Sequence, residues 1–317
     1  MSVLNAKHFH DEKAAYAYVE AHVWAKGRVC PHCGTVDQSG ALKGKSTRIG
    51  VYKCYACRKP FTVKVRTIFE SSHIKLHIWL QAIFLISSSK KGISANQLHR
   101  VLGITLKSAW FLAHRIREAM RSGGLGPLGG EGQIVEADET YFGMKKDKAD
   151  TTTSGRPFLK GGYKGITNKR AIVSLVQRGG EVRSFHVKRA DKVTVASIVT
   201  KNVARETRLH TDESRLYTGA DGHVAEHHTV NHSKGEYVRG AVHTNTIEGY
   251  FSIFKRGMKG VYQHCGENHL HRYLAEFDFR YNNREGLGVN DATRASNLLR
   301  GVTGKRLTYQ TAREAHA

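Results

Sequence analysis

The sequence is organised around the stretch Ile134-Val-Glu-Ala-Asp-Glu-Thr-Tyr-Phe-Gly143. Its apolar and polar residues alternate, which predicts a half-buried β-strand. The strand carries a carboxylate, Asp138, in its middle. A single Asp in a strand is commonly a solvated edge residue or an ion-pair partner. Two later stretches favour a functional role for it: Arg208-Leu-His-Thr-Asp212, a β-like run that ends in Asp, and His243-Thr-Asn-Thr-Ile-Glu-Gly-Tyr-Phe-Ser-Ile-Phe-Lys255, which predicts the start of a helix.

The residues that follow this strand predict a mixed α/β sheet. The further elements expected from the pattern are strands at about 169–177, 181–188 and 207–211 and a helix at about 191–204. The turn Gly179-Gly180 joins two of the strands as a β-hairpin. Three antiparallel strands, a helix and a further strand follow the order of a ribonuclease-H-like sheet. Asp138 lies on the first strand and Asp212 at the end of the fourth, which are neighbours in that fold, so the two carboxylates are expected to converge.

A third polar position comes from the predicted helix. Glu248 follows Asp212 after 35 residues, 213 to 247. Asn245 lies three residues before Glu248 and Lys255 lies seven after it, so all three share one helix face. The apolar counterpart of this stripe consists of Ile247, Phe251 and Phe254. The chemistry of the chain therefore depends on bringing the polar stripe to the two aspartates.

Length and composition indicate a folded chain with a polyanionic partner. The chain has 317 residues, 40% of them hydrophobic and only 4 of them Pro, which allows a large core with one or two appendages. Lys and Arg number 50 against 27 Asp and Glu, so the net charge is +23 and the pI is near 9.9. This excess favours nucleic acid as the partner over a merely soluble basic protein. Neither a bilayer-spanning apolar run of roughly 20 residues nor a signal-peptide pattern is seen, so a cytoplasmic, nucleoid-associated location is expected.

Four of the five Cys form two close pairs, Cys30-Pro-His-Cys33 and Cys54-Tyr-Ala-Cys57, with 20 residues between them. Each Cys-x-x-Cys turn can place two thiolates on one tetrahedral ion, so the pairs predict a four-sulfur Zn²⁺ site in a zinc ribbon at 28–70. The alternative, a pair of redox dithiols, lacks a surrounding βαβ pattern. Because protein sulfur fills all four positions, the zinc is expected to be structural. The many Lys and Arg around it predict contact with DNA.

Helices are predicted on both sides of the ribbon. Residues 1–27 predict one amphipathic helix. Within 71–121, Ser94 can cap one helix, Gly103 ends it, and Thr105 can cap a second, basic helix. A helix, a Gly-containing turn and a basic second helix form the helix-turn-helix pattern, although any two packed helices can imitate it. The residues of the second helix that are expected to contact DNA are Lys107, Arg115 and Arg117.

A Gly-rich linker separates these modules from the rest of the chain. The linker, Ser122-Gly-Gly-Leu-Gly-Pro-Leu-Gly-Gly130, predicts a domain boundary. The second domain is expected at 131–300, and 301–317 is assigned to a C-terminal tail. The segment from Lys145 to Lys169, rich in Lys, Thr and Gly, is expected to be flexible when no DNA is bound.

Several segments together carry a family resemblance. They are the four paired cysteines, Glu136-Ala-Asp-Glu-Thr-Tyr-Phe-Gly143, His210-Thr-Asp-Glu213, His243-Thr-Asn-Thr-Ile-Glu-Gly249, Lys255-Arg-Gly-Met-Lys-Gly260 and His269-Leu-His-Arg-Tyr-Leu-Ala-Glu-Phe-Asp-Phe-Arg-Tyr-Asn-Asn-Arg284. Over nearly its whole length the chain resembles a DDE-type insertion-sequence transposase of the zinc-ribbon group known as the IS1595 family. In that family the third catalytic position varies and includes Asn. The resemblance implies Asn245 at that position, whereas the spacing from Asp212 favours Glu248, and both stay open.

The resemblance implies a domain that cuts DNA and joins it to a target by in-line displacement at phosphorus. Two Mg²⁺ ions, which take oxygen ligands, would activate the attacking oxygen and stabilise the leaving one. Asp138 is expected to bridge both ions and Asp212 to hold one. Asn245 or Glu248 is expected to complete the other site, and the neutral Asn oxygen would bind its ion more weakly.

The implied partners are double-stranded inverted-repeat ends and a target DNA. The basic residues expected to contact DNA at the end of the predicted helix are Lys255, Arg256 and Lys259. Lys255 is expected to hold a phosphate at the transposon end as a positioning contact, and an ordinary solvated lysine is the alternative. Because two ends must be cut together, at least a homodimer is expected on DNA.

Two other functions share parts of this pattern. A domesticated, non-catalytic DNA-binding regulator is disfavoured by the intact set of Asp138, Asp212, Asn245 or Glu248, and Lys255. A metal-dependent nuclease without strand transfer shares the active site, but the ribbon and the helix-turn-helix favour recognition of DNA ends. A second metal site is a further candidate, with DNA contact as the favoured alternative, in a predicted Gly/His-rich loop that holds His223, His227, His228 and His232.

Overall fold

The computed structural model describes residues 3–123, 126–145 and 169–308. Its contacts divide the chain into two units. The first unit consists of Met1–Ser122 and Gly288–Ala317, and the second of Gly123–Leu287. Most of the segment predicted to be flexible, and the predicted tail from residue 309 onwards, lie outside the described residues.

The first unit begins with a helix shorter than the one predicted over 1–27. Two 3₁₀ turns, Val3–Asn5 and Lys7–Phe9, precede helix α1, Glu12–Val23. Asp11 ends the preceding turn and caps the helix, because its Oδ1 accepts a hydrogen bond from Ala14 N at 2.7 Å. The predicted acidic start of the helix is therefore its N-cap.

The zinc-ribbon segment forms a small antiparallel sheet. Its strands, in chain order, are β1 (Ser39–Ala41), β2 (Tyr52–Cys54) and β3 (Pro60–Phe61). The rings of Trp24, Tyr52 and Phe61 pack together beside the sheet. Tyr52 also donates a hydrogen bond from its hydroxyl to Glu20 Oε2 at 2.8 Å, so α1 and the ribbon pack as one body.

Three helices follow the ribbon: α2 (Leu76–Ser88), α3 (Ala95–Leu102) and α4 (Leu106–Met120). The caps predicted from the sequence are present. Ser94 Oγ accepts from Gln97 N and Thr105 Oγ1 accepts from Ser108 N, both at 3.2 Å. Gly103 takes the left-handed conformation, with φ of 63°, which a glycine adopts without strain and which ends α3.

The second unit is built on a mixed sheet. Its elements, in chain order, are β4 (Ile134–Met144), β5 (Lys169–Gln177), β6 (Val182–Val187), α5 (Lys192–Asn202), β7 (Arg208–Asp212) and β8 (Glu226–Val230). Within the described residues the strand order is β6-β5-β4-β7-β8. The three strands from β6 to β4 are antiparallel, and β4, β7 and β8 are parallel. Strand β8 lies where the sequence analysis predicted a loop, and this prediction was wrong.

A short hairpin and two helices complete the second unit. They are β9 (Val238–Arg239), β10 (Val242–His243), α6 (Asn245–Gly257), which continues into a π-helical turn at Met258–Tyr262, and α7 (Leu270–Asn282). One face of the sheet packs on α5 through Val135, Ala137, Leu175, Val195 and Val199. The other face packs on α6 and α7 through Ile172, Val176, Ile247, Phe254 and Phe277.

The last helix belongs to the first unit, not to the end of the second domain as predicted. Helix α8, Asp291–Arg300, packs on α2. The chain after it continues the contact: Val302 O accepts from Ile68 N at 3.2 Å. Lys305 Nζ then donates to Ala119 O at 2.9 Å and so satisfies a carbonyl at the C-terminus of α4. The first unit therefore contains residues from both ends of the chain.

Short 3₁₀ helices connect the larger elements at Arg215–Tyr217, His232–Lys234, Glu267–His269 and Glu285–Leu287. Among the residues that the structure describes, no helix combines the length and the apolar character needed to cross a bilayer.

Candidate active site

Two aspartates lie side by side at one edge of the main sheet. Strands β4 and β7 pair in parallel with Ile134 opposite Arg208 and Glu136 opposite His210, an offset of 74 residues (208 − 134). The same offset, 212 − 138, places Asp138 level with Asp212, the last residue of β7. Since side chains two apart on a strand share a face, both carboxylates lie on the α6 side of the sheet. The structure thus brings together the two aspartates that the sequence analysis expected to converge.

Helix α6 begins beside this pair. Asn245 is its first residue, and its backbone N donates to His243 Nδ1 at 3.3 Å. Glu248 lies one turn further on, half exposed, and its Oε1 accepts from Thr244 Oγ1 at 3.0 Å. His232 Nε2 lies 3.8 Å from the same oxygen. The first turn of α6 therefore carries one amide and one carboxylate, and the charge of the carboxylate acts on Asp138.

Burial and repulsion between carboxylates dominate the electrostatics of this cluster. Burial, helped by the nearby charges of Glu139, Asp212 and Glu248, raises the pKa of Asp138 to about 8. Burial also raises the pKa of Asp212 above its usual value. Because Glu248 acts on Asp138 in this way, it lies within electrostatic range of the pair. A bound cation would relieve this repulsion, so the donor set fits a hard, oxygen-seeking metal ion.

A further carboxylate, Glu139, was not predicted from the sequence. It lies next to Asp138 in β4, and its Oε2 accepts a hydrogen bond from the buried hydroxyl of Tyr217 at 3.0 Å. Burial and the charge of Asp212 raise the pKa of Glu139. Strand alternation puts its side chain on the α5 face, opposite to that of Asp138. The adjacency of Asp138 and Glu139 in the sequence was the signal available for it.

The basic residues predicted to contact DNA near this site follow Glu248 on α6. Lys255 is half-buried in the last turn of the helix, and Arg256 beside it is exposed, with its Nε donating to Ser252 O at 3.2 Å. Lys259 is exposed in the π-helical turn. The buried face of the helix consists of Ile247, Phe251 and Phe254, as the spacing predicted.

The four histidines considered as a second metal site do not form one. His223 Nε2 lies 3.0 Å from Val203 O, and His227 Nε2 lies 2.9 Å from Thr211 Oγ1. His228 Nε2 pairs with Glu226 at 2.8 Å. In the described part of the chain, the paired cysteines are the one group of three or more His, Cys, Asp or Glu whose ligand atoms all lie within 4.8 Å of one another.

Those cysteines have the geometry of a tetrahedral zinc site. The four Sγ atoms lie within 4.8 Å of one another, and the distances from Cys30 to Cys57 and from Cys33 to Cys54 are both 3.7 Å. Zinc–sulfur bonds in a regular tetrahedron separate the sulfurs by about 3.8 Å. The cluster therefore fits a structural Zn²⁺, as the sequence predicted.

The residues predicted to contact DNA on α4 differ in exposure. Lys107, in the first turn, is exposed. Arg115 and Arg117 are only 4% and 2% exposed. Arg115 donates from its guanidinium to Glu70 O at 2.6 Å and lies over the ring of Trp79. Because side chains enclosed in this way do not reach a phosphate, the structure argues against the DNA contacts predicted for Arg115 and Arg117.

Two family models match the chain, one over the zinc ribbon and one over the second unit. Residues 10–60 match a transposase zinc-ribbon domain, which includes α1, and residues 127–282 match an ISXO2-like transposase domain. Both models describe transposases, so transposase is the class of protein to which the two modules point. The chain belongs to the IS1595 family of these proteins.

A curated relative comes from a mobile element. An uncharacterised protein in transposable element ISH50 of Halobacterium salinarum (strain ATCC 700922 / JCM 11081 / NRC-1) is 26% identical over 281 residues, which are 86% of this chain and 92% of the relative.

A solved structure also matches, more weakly. A chain in the cryo-EM structure of the simian T-cell lymphotropic virus intasome in complex with PP2A regulatory subunit B56 gamma is 16% identical; the match covers 57% of this chain and 63% of that chain. Its TM-score of 0.28 is too low to bear on the fold.

Proposed function

We propose that the protein binds the inverted-repeat ends of an insertion sequence and catalyses metal-dependent DNA cleavage and strand transfer. The observation that carries this proposal is the partly buried Asp138, level with Asp212 on the neighbouring strand and beside the first turn of α6. We assign the sheet to the ribonuclease-H-like class, because three antiparallel strands are followed by parallel ones and the central strand carries the first carboxylate.

The metal in this proposal is Mg²⁺, held by Asp138 and Asp212 with either Glu248 or Asn245. When bound it would polarise the phosphate and stabilise charge on the attacking and leaving oxygens. Without a cation, the raised pKa of Asp138 keeps its carboxyl protonated near neutral pH. A bound cation would favour the ionised form, because its charge offsets both the burial and the repulsion.

Glu248 is the favoured third ligand. Its charge acts on Asp138, and its carboxylate accepts a hydrogen bond from Thr244 Oγ1. Asn245 is exposed and brings a neutral oxygen. A full negative charge compensates a divalent cation better than an amide dipole, so Glu248 is assigned to the metal and Asn245 to a weaker contact.

DNA binding is assigned to surfaces of both units. Lys255, Arg256 and Lys259 follow the third ligand on α6 and would hold phosphates next to the reacting one. In the first unit, Lys107 lies exposed at the N-terminus of α4, the position from which a helix-turn-helix contacts DNA. Arg115 and Arg117 are left out because they are buried. Since two ends are cut together, the active form is a homo-oligomer on double-stranded DNA.

Strand transfer of a labelled inverted-repeat end in Mg²⁺ tests this function. Wild type is compared with Glu248→Ala and Asn245→Ala. We expect Glu248→Ala to lower the cleavage rate by about a hundredfold or more and Asn245→Ala to lower it by less than about tenfold. The opposite order would assign the metal to Asn245.

Two results for the wild-type protein would replace the proposal. Cleavage without joined product would identify a nuclease that lacks strand transfer. Tight end binding without cleavage at any Mg²⁺ concentration would identify a DNA-binding regulator.

A further inference from the structure

Three polar residues of the family motifs have no role in the site described above. They are Glu136, His210 and His243, and each stands two residues before a candidate metal ligand, namely Asp138, Asp212 and Asn245. On β4 and β7 a two-residue spacing keeps both side chains on the same face. Glu136 and His210 therefore form a row directly behind the two aspartates, and His243 ends the strand that leads into α6.

One arginine contacts all three of these residues. Arg178 follows β5 at the start of the Gly179-Gly180 turn. Its Nε donates to Glu136 Oε1 at 2.6 Å. Its Nη2 lies 3.2 Å from His210 Nδ1, 2.9 Å from His243 Nδ1 and 2.8 Å from His243 O. The several N–H groups of the guanidinium thus contact β4, β7 and β10, the strand that leads into α6, at the same time.

Glu136 extends this contact into α6. Its side chain is completely buried. Besides the bond from Arg178, its Oε1 accepts from Thr246 Oγ1 at 2.9 Å and its Oε2 accepts from Ile247 N at 3.0 Å. A carboxylate at a helix N-terminus is favoured by the free N–H groups and the helix dipole. The first turn of α6, which carries Asn245 and Glu248, is therefore fastened to β4 two residues from Asp138.

We propose that Arg178 is a positioning residue that sets the spacing of the three metal-binding segments. Through Glu136, His210 and His243 it holds the elements that carry the ligands, and it touches neither the metal nor the DNA. Lysine would keep the positive charge beside Glu136, but its single ammonium lacks the rigid fork that reaches separate acceptors. This inference rests on the proposed function, because it concerns the same metal site.

The test measures metal binding apart from catalysis. Full-length Arg178→Lys is compared with Arg183→Lys, a matched control on β6 of the same hairpin, whose guanidinium donates to Gly126 O at 2.6 Å and contacts none of the three motif residues. Asp138→Asn defines the signal lost when the site is destroyed. Mn²⁺ binding without DNA is followed by electron paramagnetic resonance, and the Mg²⁺ dependence of end cleavage is measured in parallel.

We expect Arg178→Lys to weaken Mn²⁺ binding by about tenfold or more, as loss of a group that orients metal ligands does. The Mg²⁺ concentration for half-maximal cleavage should rise by a similar factor, while the rate at saturating Mg²⁺ recovers most of the wild-type value. Arg183→Lys should change neither quantity. An unchanged Mn²⁺ affinity in a folded Arg178→Lys protein would overturn the proposal and leave Arg178 a purely structural role.

A second variant covers the case in which Arg178→Lys does not fold. His243→Ala keeps the bond between Arg178 and the buried Glu136 but removes the ring that links Arg178 to α6. We expect weaker Mn²⁺ binding and faster hydrogen exchange at the backbone amides of Ile247 and Glu248. Wild-type values for both would overturn the proposal. If the wild-type protein shows neither cleavage nor Mn²⁺ binding that Asp138→Asn removes, the proposed function itself fails.

Discussion

The cysteine cluster and the carboxylate cluster are built in opposite ways. The four sulfurs come from two short turns and already stand 3.7 Å apart in pairs, at the spacing of a filled zinc site. The carboxylates come from β4, β7 and α6, and burial with mutual repulsion raises the pKa of Asp138. The first cluster is a closed structural site built from local sequence. The second is assembled by the fold from separate elements, and the repulsion between its carboxylates would be relieved by the Mg²⁺ of the proposed function.

The largest predicted effect comes from substituting the two aspartates of the carboxylate cluster. We expect Asp138→Asn and Asp212→Asn each to lower cleavage by about a thousandfold or more, because the metal supplies several kcal/mol of transition-state stabilisation. Binding of a labelled inverted-repeat end should stay within about twofold of wild type, because DNA docking uses other residues. Cleavage rates and gel-shift affinities on the same preparations check this. Full activity in either variant would contradict the site assignment.

The next largest effect is expected from a substitution in the cysteine cluster, which tests whether the two clusters bind metal independently. Cys30→Ser should lose its zinc and unfold the ribbon, because structural zinc contributes about 10 kcal/mol or more to such folds. End binding should weaken, while Mn²⁺ binding at the carboxylates persists. Zinc content by mass spectrometry checks the first point, with Cys265→Ser, which lies outside the cluster, as the matched control. Full zinc occupancy in Cys30→Ser would argue against a four-sulfur site.

The pH dependence of Mg²⁺ affinity tests the electrostatics of the carboxylate cluster. The pKa of Asp138 is raised to about 8, so the folded, metal-free protein keeps a proton there that a metal must displace. Mg²⁺ affinity should therefore rise by up to about tenfold per pH unit below pH 8 and level off above it. Calorimetric titration of the wild-type protein between pH 6 and 9 measures this. A flat profile in wild type would mean that Asp138 is already ionised.

The raised pKa of Asp138 also affects stability. Stability should fall with rising pH, whereas Mg²⁺ affinity should rise. An unfolded Asp ionises near pH 4, so between about pH 4 and 8 the folded state binds the extra proton. The free energy of unfolding of the metal-free protein should therefore fall as pH rises through that window. Added Mg²⁺ should restore stability at the upper end, and thermal unfolding scans with and without Mg²⁺ check both trends.

The smallest effect concerns the two kinds of basic residue on α4. Lys107→Ala should weaken end binding by a few-fold and lower the salt slope of the affinity by about one, as loss of a phosphate contact does. Arg115→Lys should instead lower the melting temperature, because it leaves Glu70 O without its donor inside the first unit. Unaltered stability together with weakened DNA binding in Arg115→Lys would restore Arg115 as a DNA contact.

Local patterns predicted many of the elements of both units. The alternation in β4, the Gly179-Gly180 turn and the caps at Ser94 and Thr105 each depend on neighbours within a few residues. The cysteine cluster is equally local, because each Cys-x-x-Cys turn carries half of it. These features were therefore visible before any long-range contact was known.

Long-range contacts determined what the sequence analysis missed. Strand β8 contains two adjacent histidines and reads as a polar loop, and only its parallel pairing with β7 makes it a strand. The charges of Arg115 and Arg117 suggest an exposed helix face, yet packing encloses both. Arg178 precedes the predicted Gly179-Gly180 turn and had no role in the sequence analysis, because its contacts with residues 32 to 65 positions away appear only in the folded chain.

The split first unit has a consequence for the order of events during synthesis. Lys305, which satisfies the carbonyl of Ala119, lies 186 residues further along the chain. At about 5–20 residues per second, the ribosome needs roughly 10–40 s to make that stretch. The second unit, Gly123–Leu287, is complete before α8 emerges. The main sheet of the nascent protein can therefore form before α8 is available to pack on α2. A product released just after residue 287 would contain the whole carboxylate cluster but an incomplete first unit.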